Sequence, residues 1–213
     1  VFTAFSGSHQ DAIKKCLDAQ TGDSWQVAYL PIDPKDVGRS YEEVIRVNSQ
    51  SGKAGAAYLV EQALGLQLPR WMQEDFSRIV QQASETQGQE IRSPELVALF
   101  KRSYWQRPGA YSLEDFHVSP VCEVSARLVG AVGSVSVTGQ GSGVLAAFVD
   151  ALGAHFDRHI EILAYQEQAM SEGSDAQAAC YVRLACDGVV KLGMACHRDI
   201  ISASLLAVLN GIA

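Results

Sequence analysis

Two side chains near the start of the 213-residue chain are of types that move protons. His9 stands in "FSGSHQDAIKK", a small polar stretch where a helix begins, with Ser8 as the expected N-cap and Ala12, Ile13, Cys16 and Leu17 along one face. An imidazole in the first turn of a helix faces unpaired N–H groups, a setting that suits a neutral ring able to accept a proton. Tyr29, ahead of the rigid "LPIDP", can donate a phenolic hydrogen bond or a proton. Each has an ordinary alternative, a surface histidine and a tyrosine packed on prolines. A second feature lies far downstream. Gly139, Gly141 and Gly143 in "TGQGSGVLAAF" fall between an expected strand and a helix N-terminus, where bare backbone N–H groups can receive a carboxylate. Their spacing is not the GxGxxG fingerprint, and a plain tight turn competes. Small residues in "AYQEQAMSEGSDAQAACYV" (Ala169, Ala176, Ala178), beside Ile162 and Tyr165, favour a pocket for a small apolar acid. "SQSGKAG" lacks the phosphate-loop spacing GxxxxGK[ST] and reads as a glycine-rich turn.

These residues belong to a chain built to fold. It is 47% apolar and 19% charged, with a net charge of −7 spread along its length. No Lys/Arg run could track a phosphate backbone, so nucleic acid is not an expected partner. No apolar run is long enough to span a membrane, and no signal-type segment opens the sequence, so the expected location is cytoplasmic. Cys16, Cys122, Cys180, Cys186 and Cys196 are odd in number and form no CxxC pair, which suits reduced packing thiols and predicts no metal site in this chain. The start "VFTAF", without Met, reads as part of something longer.

The expected elements fall into three blocks: residues 1–50, a small α/β segment carrying His9 and Tyr29; residues 51–112, helical; residues 113–213, rich in short strands. In the first, Pro31 and Pro34 forbid regular helix, and Val44 to Val47 read as a short strand. In the second, "AAYLVEQAL" reads as a modest helix. Met72, Phe76, Ile79, Val80 and Ala83 then form an amphipathic stripe, and Ser93–Pro94 opens a helix carrying Leu96, Val97, Leu99, Phe100 and Tyr104. Pro108 and Gly109 mark a boundary near 106–115.

The last block repeats itself. "ARLVGAVGSVSVTGQGSGVLAAFVDALG" aligns with "VRLACDGVVKLGMACHRDIISASLLAVLNG", Ala126 against Val182, each reading strand, tight turn, strand, helix. "HIEILAYQEQAM" supplies a strand between the copies. The expected class is therefore α+β: small α/β and helical subdomains, then a duplicated strand–strand–helix domain with antiparallel sheets, a helix pair and pseudo-two-fold symmetry.

"VFTAFSGSHQDAIKK", "YLPIDPKDVGRSYEEVIRVNSQSGKAGAAYL", "GSGVLAAFVDAL" and "AMSEGSDAQAACYV" together resemble the C-terminal half of the α-isopropylmalate synthase family, over nearly the whole chain. The first and last of these motifs also fit the related homocitrate and citramalate synthases, so the run "PIDPKDVGRSYE" carries most of the assignment. Pro, Gly and Pro are usual in the family where Ala28, Ala54 and Val144 stand here. The resemblance implies an acyltransferase that condenses acetyl-CoA with 2-oxoisovalerate, under feedback by leucine. It implies a divalent metal on a TIM barrel absent from this chain, and a domain-swapped homodimer in which His9 and Tyr29 serve the partner's active site. It also places Ser142, Gly143, Leu145, Ala146, Ile162, Tyr165, Ala169, Ala176 and Ala178 at the leucine pocket. By itself this chain is expected to be inactive. The alternatives are a stand-alone amino-acid sensor, which would need neither His9 nor Tyr29, and the same part of a related homocitrate or citramalate synthase.

Overall fold

The computed structural model describes residues 7–21, 25–38, 53–87, 91–171 and 176–213. The chain divides into two units, Val1–Phe100 and Lys101–Ala213.

The first unit holds helices α1 (Gly7–Ala19), α2 (Lys53–Leu64), α3 (Arg70–Gln87) and α4 (Ser93–Phe100), with a 3-10 turn at Pro34–Val37. Every residue from Gly55 to Val60 is buried, and α1, α3 and α4 all pack against α2. The stretch expected as a modest helix is thus the centre of this unit, and its weak amphipathicity follows, because a surrounded helix needs no polar face. Gly65 ends it in the left-handed conformation at φ 68°, its N–H reaching Glu61 O at 2.8 Å. On α3, Met72, Phe76 and Val80 are fully buried, and Phe76 meets Phe100 of α4 edge-on with centroids 5.2 Å apart. The exposed Arg70–Glu74 and Arg78–Asp75 pairs line its other side, each worth only tenths of a kcal/mol, roughly. Ser8 falls inside α1, which begins at Gly7, and so is a first-turn residue and not the cap. Helix ends follow where the backbone ladder can start, and the nearest capping side chain need not coincide with it. The expected strand at Val44–Val47 lies outside the described residues.

The second unit opens with a π turn, Lys101–Trp105, in which Gln106 N–H bonds to Lys101 O at 2.7 Å and Tyr104 is fully buried. This turn packs on the last strand of its own unit, so the unit starts ahead of the Pro108–Gly109 turn. Two antiparallel sheets follow. One is β1 (Ser112–Val118), β2 (Glu123–Gly130) and β3 (Gly133–Gln140). The other is β4 (Ile160–Ala169), β5 (Ala178–Cys186) and β6 (Val189–His197). Helix α5 (Val144–Phe156) follows β3, and α6 (Ile200–Ile212) follows β6. The repeat is therefore longer than strand–strand–helix, because β1 and β4 each lead their copy. Both leading strands carry a bulge at the same place, between Leu113 and Asp115 and between Ile162 and Ala164.

One core joins the halves. Val124, Leu128, Phe148 and Leu152 of the first copy share it with Val182, Leu184, Leu205 and Leu209 of the second. Each helix lies on its own sheet and also reaches the leading strand of the other copy, α5 on β4 and α6 on β1. Glycines set how closely they lie. A Cβ on Gly139 would come within 2.4 Å of Ala147 O and Ala151 N, and one on Gly193 within 2.2 Å of Ala207 O and 2.4 Å of Gly211 N. Because α5 and α6 start and end at the same separation as the paired strands, Ala151 corresponds to Ala207, and the two close approaches lie one helical turn apart in the repeat.

The two helices end differently. Asp199 caps α6, its carboxylate accepting from Ser202 N at 2.7 Å and Ser202 Oγ at 2.6 Å. At the other end Lys191 Nζ and Arg107 reach the last carbonyls, as cations do at the negative end of a helix. The bonds from Ser202 hold Asp199 below the ordinary carboxylate value. Its stabilising contribution is then complete above the unfolded-state value and is lost as pH falls through the lower folded one. Asp199→Ala is expected to destabilise the chain by about 1 kcal/mol at neutral pH, and by less as the pH falls below that value, in urea unfolding.

Candidate functional site

His9 and Tyr29 come together. Their rings stack with centroids 4.2 Å apart and planes 27° from parallel, and both side chains are exposed. A small core positions them: Ile13 of α1, Val27 and Leu30 are buried, with Cys16, Leu17 and Trp25 against them. Trp25 Nε1 donates to Leu30 O at 2.7 Å and clamps the turn that carries Tyr29, closed by Leu30 N to Val27 O at 3.3 Å. Tyr29 sits at φ 65°, a left-handed conformation that a bulky side chain seldom adopts. The strain turns the ring out onto His9 and away from the core, and backbone outliers of this kind gather at functional sites. The 3-10 turn behind it is fixed by Asp33, whose carboxylate accepts from Lys35 N at 2.9 Å. The pair offers an imidazole and a phenol side by side and open to an incoming substrate.

The nine residues named for an effector fall on three neighbouring elements of the second unit. Ser142 and Gly143 lead into α5, and Leu145 and Ala146 lie in its first turn. Gly143 is the N-cap, extended at φ −170° with no side-chain cap bond, in contrast to the carboxylate on α6. On β4, Ile162 pairs with Leu184, Tyr165 with Val182 and Ala169 with Ala178. With the bulge counted, these four named residues, Ile162, Tyr165, Ala169 and Ala178, share the helix-facing side of the sheet. Ala146 and Ile162 line one open cleft of about 650 Å³ between α5 and the start of β4, with Asp150, Arg158, His159 and Glu161 among its polar lining. Ser142, Gly143, Leu145, Tyr165, Ala169, Ala176 and Ala178 do not line that cleft; Ala176 precedes β5 and is half-buried.

The glycine run has a packing reason besides the two expected ones. Gly139 and Gly141 are pressed against Ala146, Ala147 and Ala151, so they permit strand and helix to touch. Gly143 alone has nothing within 4 Å of a would-be Cβ.

Sequence reasoning missed three partners of Tyr165. Its hydroxyl lies 2.8 Å from Ser204 Oγ on α6, 2.8 Å from Glu167 Oε2 and 3.5 Å from Cys180 Sγ. Burial raises this phenol well above its ordinary value, so it stays protonated. Burial, with Cys180 nearby, pushes the Cys196 thiol up to about 12, and all five cysteines are free. The only available signal was the polar Ser204 heading the apolar run "SLLAVL". Among the described residues no cluster of three or more His, Cys, Asp or Glu could hold a metal, and no helix is long and apolar enough to cross a membrane.

Two family models match. The post-catalytic domain-like model of alpha-isopropylmalate synthase covers residues 1–61, and the LeuA allosteric (dimerisation) domain covers residues 90–213. Proteins named 2-isopropylmalate synthase are similar along the whole chain: that of Cupriavidus taiwanensis is 44% identical over 100% of this chain and 38% of its own length. That of Mycobacterium leprae is 43% identical over 100% and 38%, and that of Rhodospirillum rubrum 44% over 98% and 39%. The chain thus spans about two fifths of the length of these relatives.

Proposed function

The chain belongs to the α-isopropylmalate synthase family, and from that premise we propose that it forms the post-catalytic and leucine-sensing part of a 2-isopropylmalate synthase. The whole enzyme, in this reading, joins acetyl-CoA to 2-oxoisovalerate and hydrolyses the thioester, in the cytoplasm and as a domain-swapped homodimer. A divalent metal on a barrel outside these 213 residues would polarise the keto group. Within this chain, His9 accepts a proton, directly or through water, from the acetyl methyl group or from the water that hydrolyses the thioester. Tyr29, stacked on it, orients the ring and presents a phenolic O–H to a developing alkoxide. Both are exposed, as groups serving a site on a partner must be.

The observation that carries the regulatory half is the shared helix-facing side of β4 and β5, where Ile162, Tyr165, Ala169 and Ala178 stand, with Ile162 also lining the cleft beside the N-terminus of α5, which has no side-chain cap. Backbone N–H groups there suit the carboxylate of an amino acid, and small side chains leave room for an isobutyl group. Calorimetric titration with leucine, against isoleucine, valine and lysine, tests it: saturable binding selective for leucine is expected. Ala169→Phe, which fills the same face of β4, is expected to abolish that binding. Unchanged affinity in this variant would move the pocket elsewhere.

A further inference from the structure

Resting on the reading of the Tyr165 face as the effector pocket, we propose that Ser204, backed by Cys180, is a positioning residue that sets the Tyr165 ring for leucine. The argument comes from the duplication. After the bulges, Phe116 pairs with Ala126 and Tyr165 with Val182, and Ala126 is the repeat partner of Val182. Two residues earlier on the central strands, Val124 corresponds to Cys180. Helices α5 and α6 start and end at the same separation as the paired strands, so Phe148 corresponds to Ser204. Where the first copy has Phe, Val and Phe, the second has Tyr, Cys and Ser.

The first copy shows that apolar residues suffice for packing at these places: Val124 and Phe148 are fully buried, and Phe116 packs on the core. Folding therefore does not require the polar set, and burying polar groups is costly unless each is bonded. Here each is bonded. Ser204, 6% exposed, donates to Ile200 O at 2.7 Å and lies 2.8 Å from Tyr165 Oη and 3.5 Å from Cys180 Sγ. The phenol has one proton, shared between Glu167 on its own strand and Ser204 on α6. Its oxygen is thereby held from two elements while the ring remains 37% exposed. A ring that is accessible yet fixed is a preorganised wall for a ligand.

A double-mutant cycle in the complete enzyme tests this, read as the leucine concentration that halves each variant's own leucine-free rate. Ser204→Ala is expected to raise that concentration about tenfold, the loss of one buried hydrogen bond at the site. Ser204→Thr, which keeps the hydroxyl, restores it. Tyr165→Phe gives a similar shift, and adding Ser204→Ala to it changes the value by less than about twofold, because the serine acts through the phenol. Additive shifts in the cycle would overturn the proposal. So would an unaltered Ser204→Ala beside an Ala169→Phe that no longer responds. If both Ser204→Ala and Ala169→Phe respond as before, the pocket assignment itself fails.

Discussion

His9→Ala in the complete synthase is expected to lower kcat about 100-fold or more, because a positioned acid–base group typically contributes factors of ~10² to 10⁴. The expectation is sharp because little else in the structure depends on His9. Its side chain is exposed, and the core beneath its turn is made by Ile13, Val27 and Leu30. The variant should therefore fold and melt as the parent does, and the loss should appear in turnover. A second variant separates chemistry from positioning. Tyr29→Phe keeps the ring that stacks at 4.2 Å and removes only the hydroxyl, so a smaller loss there leaves proton acceptance with His9. Turnover of His9→Ala within about threefold of wild type would remove the histidine from the mechanism. A loss in KM alone would make it a substrate contact, since transition-state interactions appear in kcat.

The largest expected effect on stability is at a glycine. Gly193→Ala places a methyl group 2.2 Å from Ala207 O, 2.4 Å from Gly211 N and 2.7 Å from Gly211 Cα. All three are backbone atoms, which cannot rotate aside, so α6 must lift from β6. That helix carries Leu205, Val208 and Leu209 of the shared core, so the displacement loosens both copies. The expected cost is about 3 kcal/mol, the upper end of overpacking, or roughly 10 °C in Tm. Gly139→Ala, facing Ala147 O and Ala151 N at 2.4 Å, should behave alike. Gly143→Ser is the control: nothing lies within 4 Å, its φ is extended, and a serine there can cap α5. Urea and thermal unfolding of the three variants would decide it. A Gly193→Ala protein within 1 kcal/mol of the parent would mean that the helix slides without loss.

Much of this was legible beforehand, and the misses have a common cause. The stripe on α3 is periodic, so its buried face could be read. The duplication appeared because both copies conserve the alternation of β-strands and the same helix start. The central role of α2 was hidden, since a surrounded helix has no polar face to set the period. The π turn at Lys101–Trp105 was also hidden, because its wider winding answers to packing against β6 and not to any local propensity. For the glycine run, the packing role was not legible: close approach is a property of two elements, and a sequence shows one at a time.

By itself the sequence determined the class, the duplicated half, the helices of the middle block and the residue types able to do chemistry. Those follow from local periodicity and from patterns carried within a single segment. Only the tertiary structure decided that His9 and Tyr29 stack, that Ile162, Tyr165, Ala169 and Ala178 share one face, and that Ser204 and Cys180 hold a phenol far away in the chain. The bulge in β4 shows why. One inserted residue reverses which side chains face α6, so a face assignment taken from simple alternation would have put Ile162 and Tyr165 on opposite sides of the sheet.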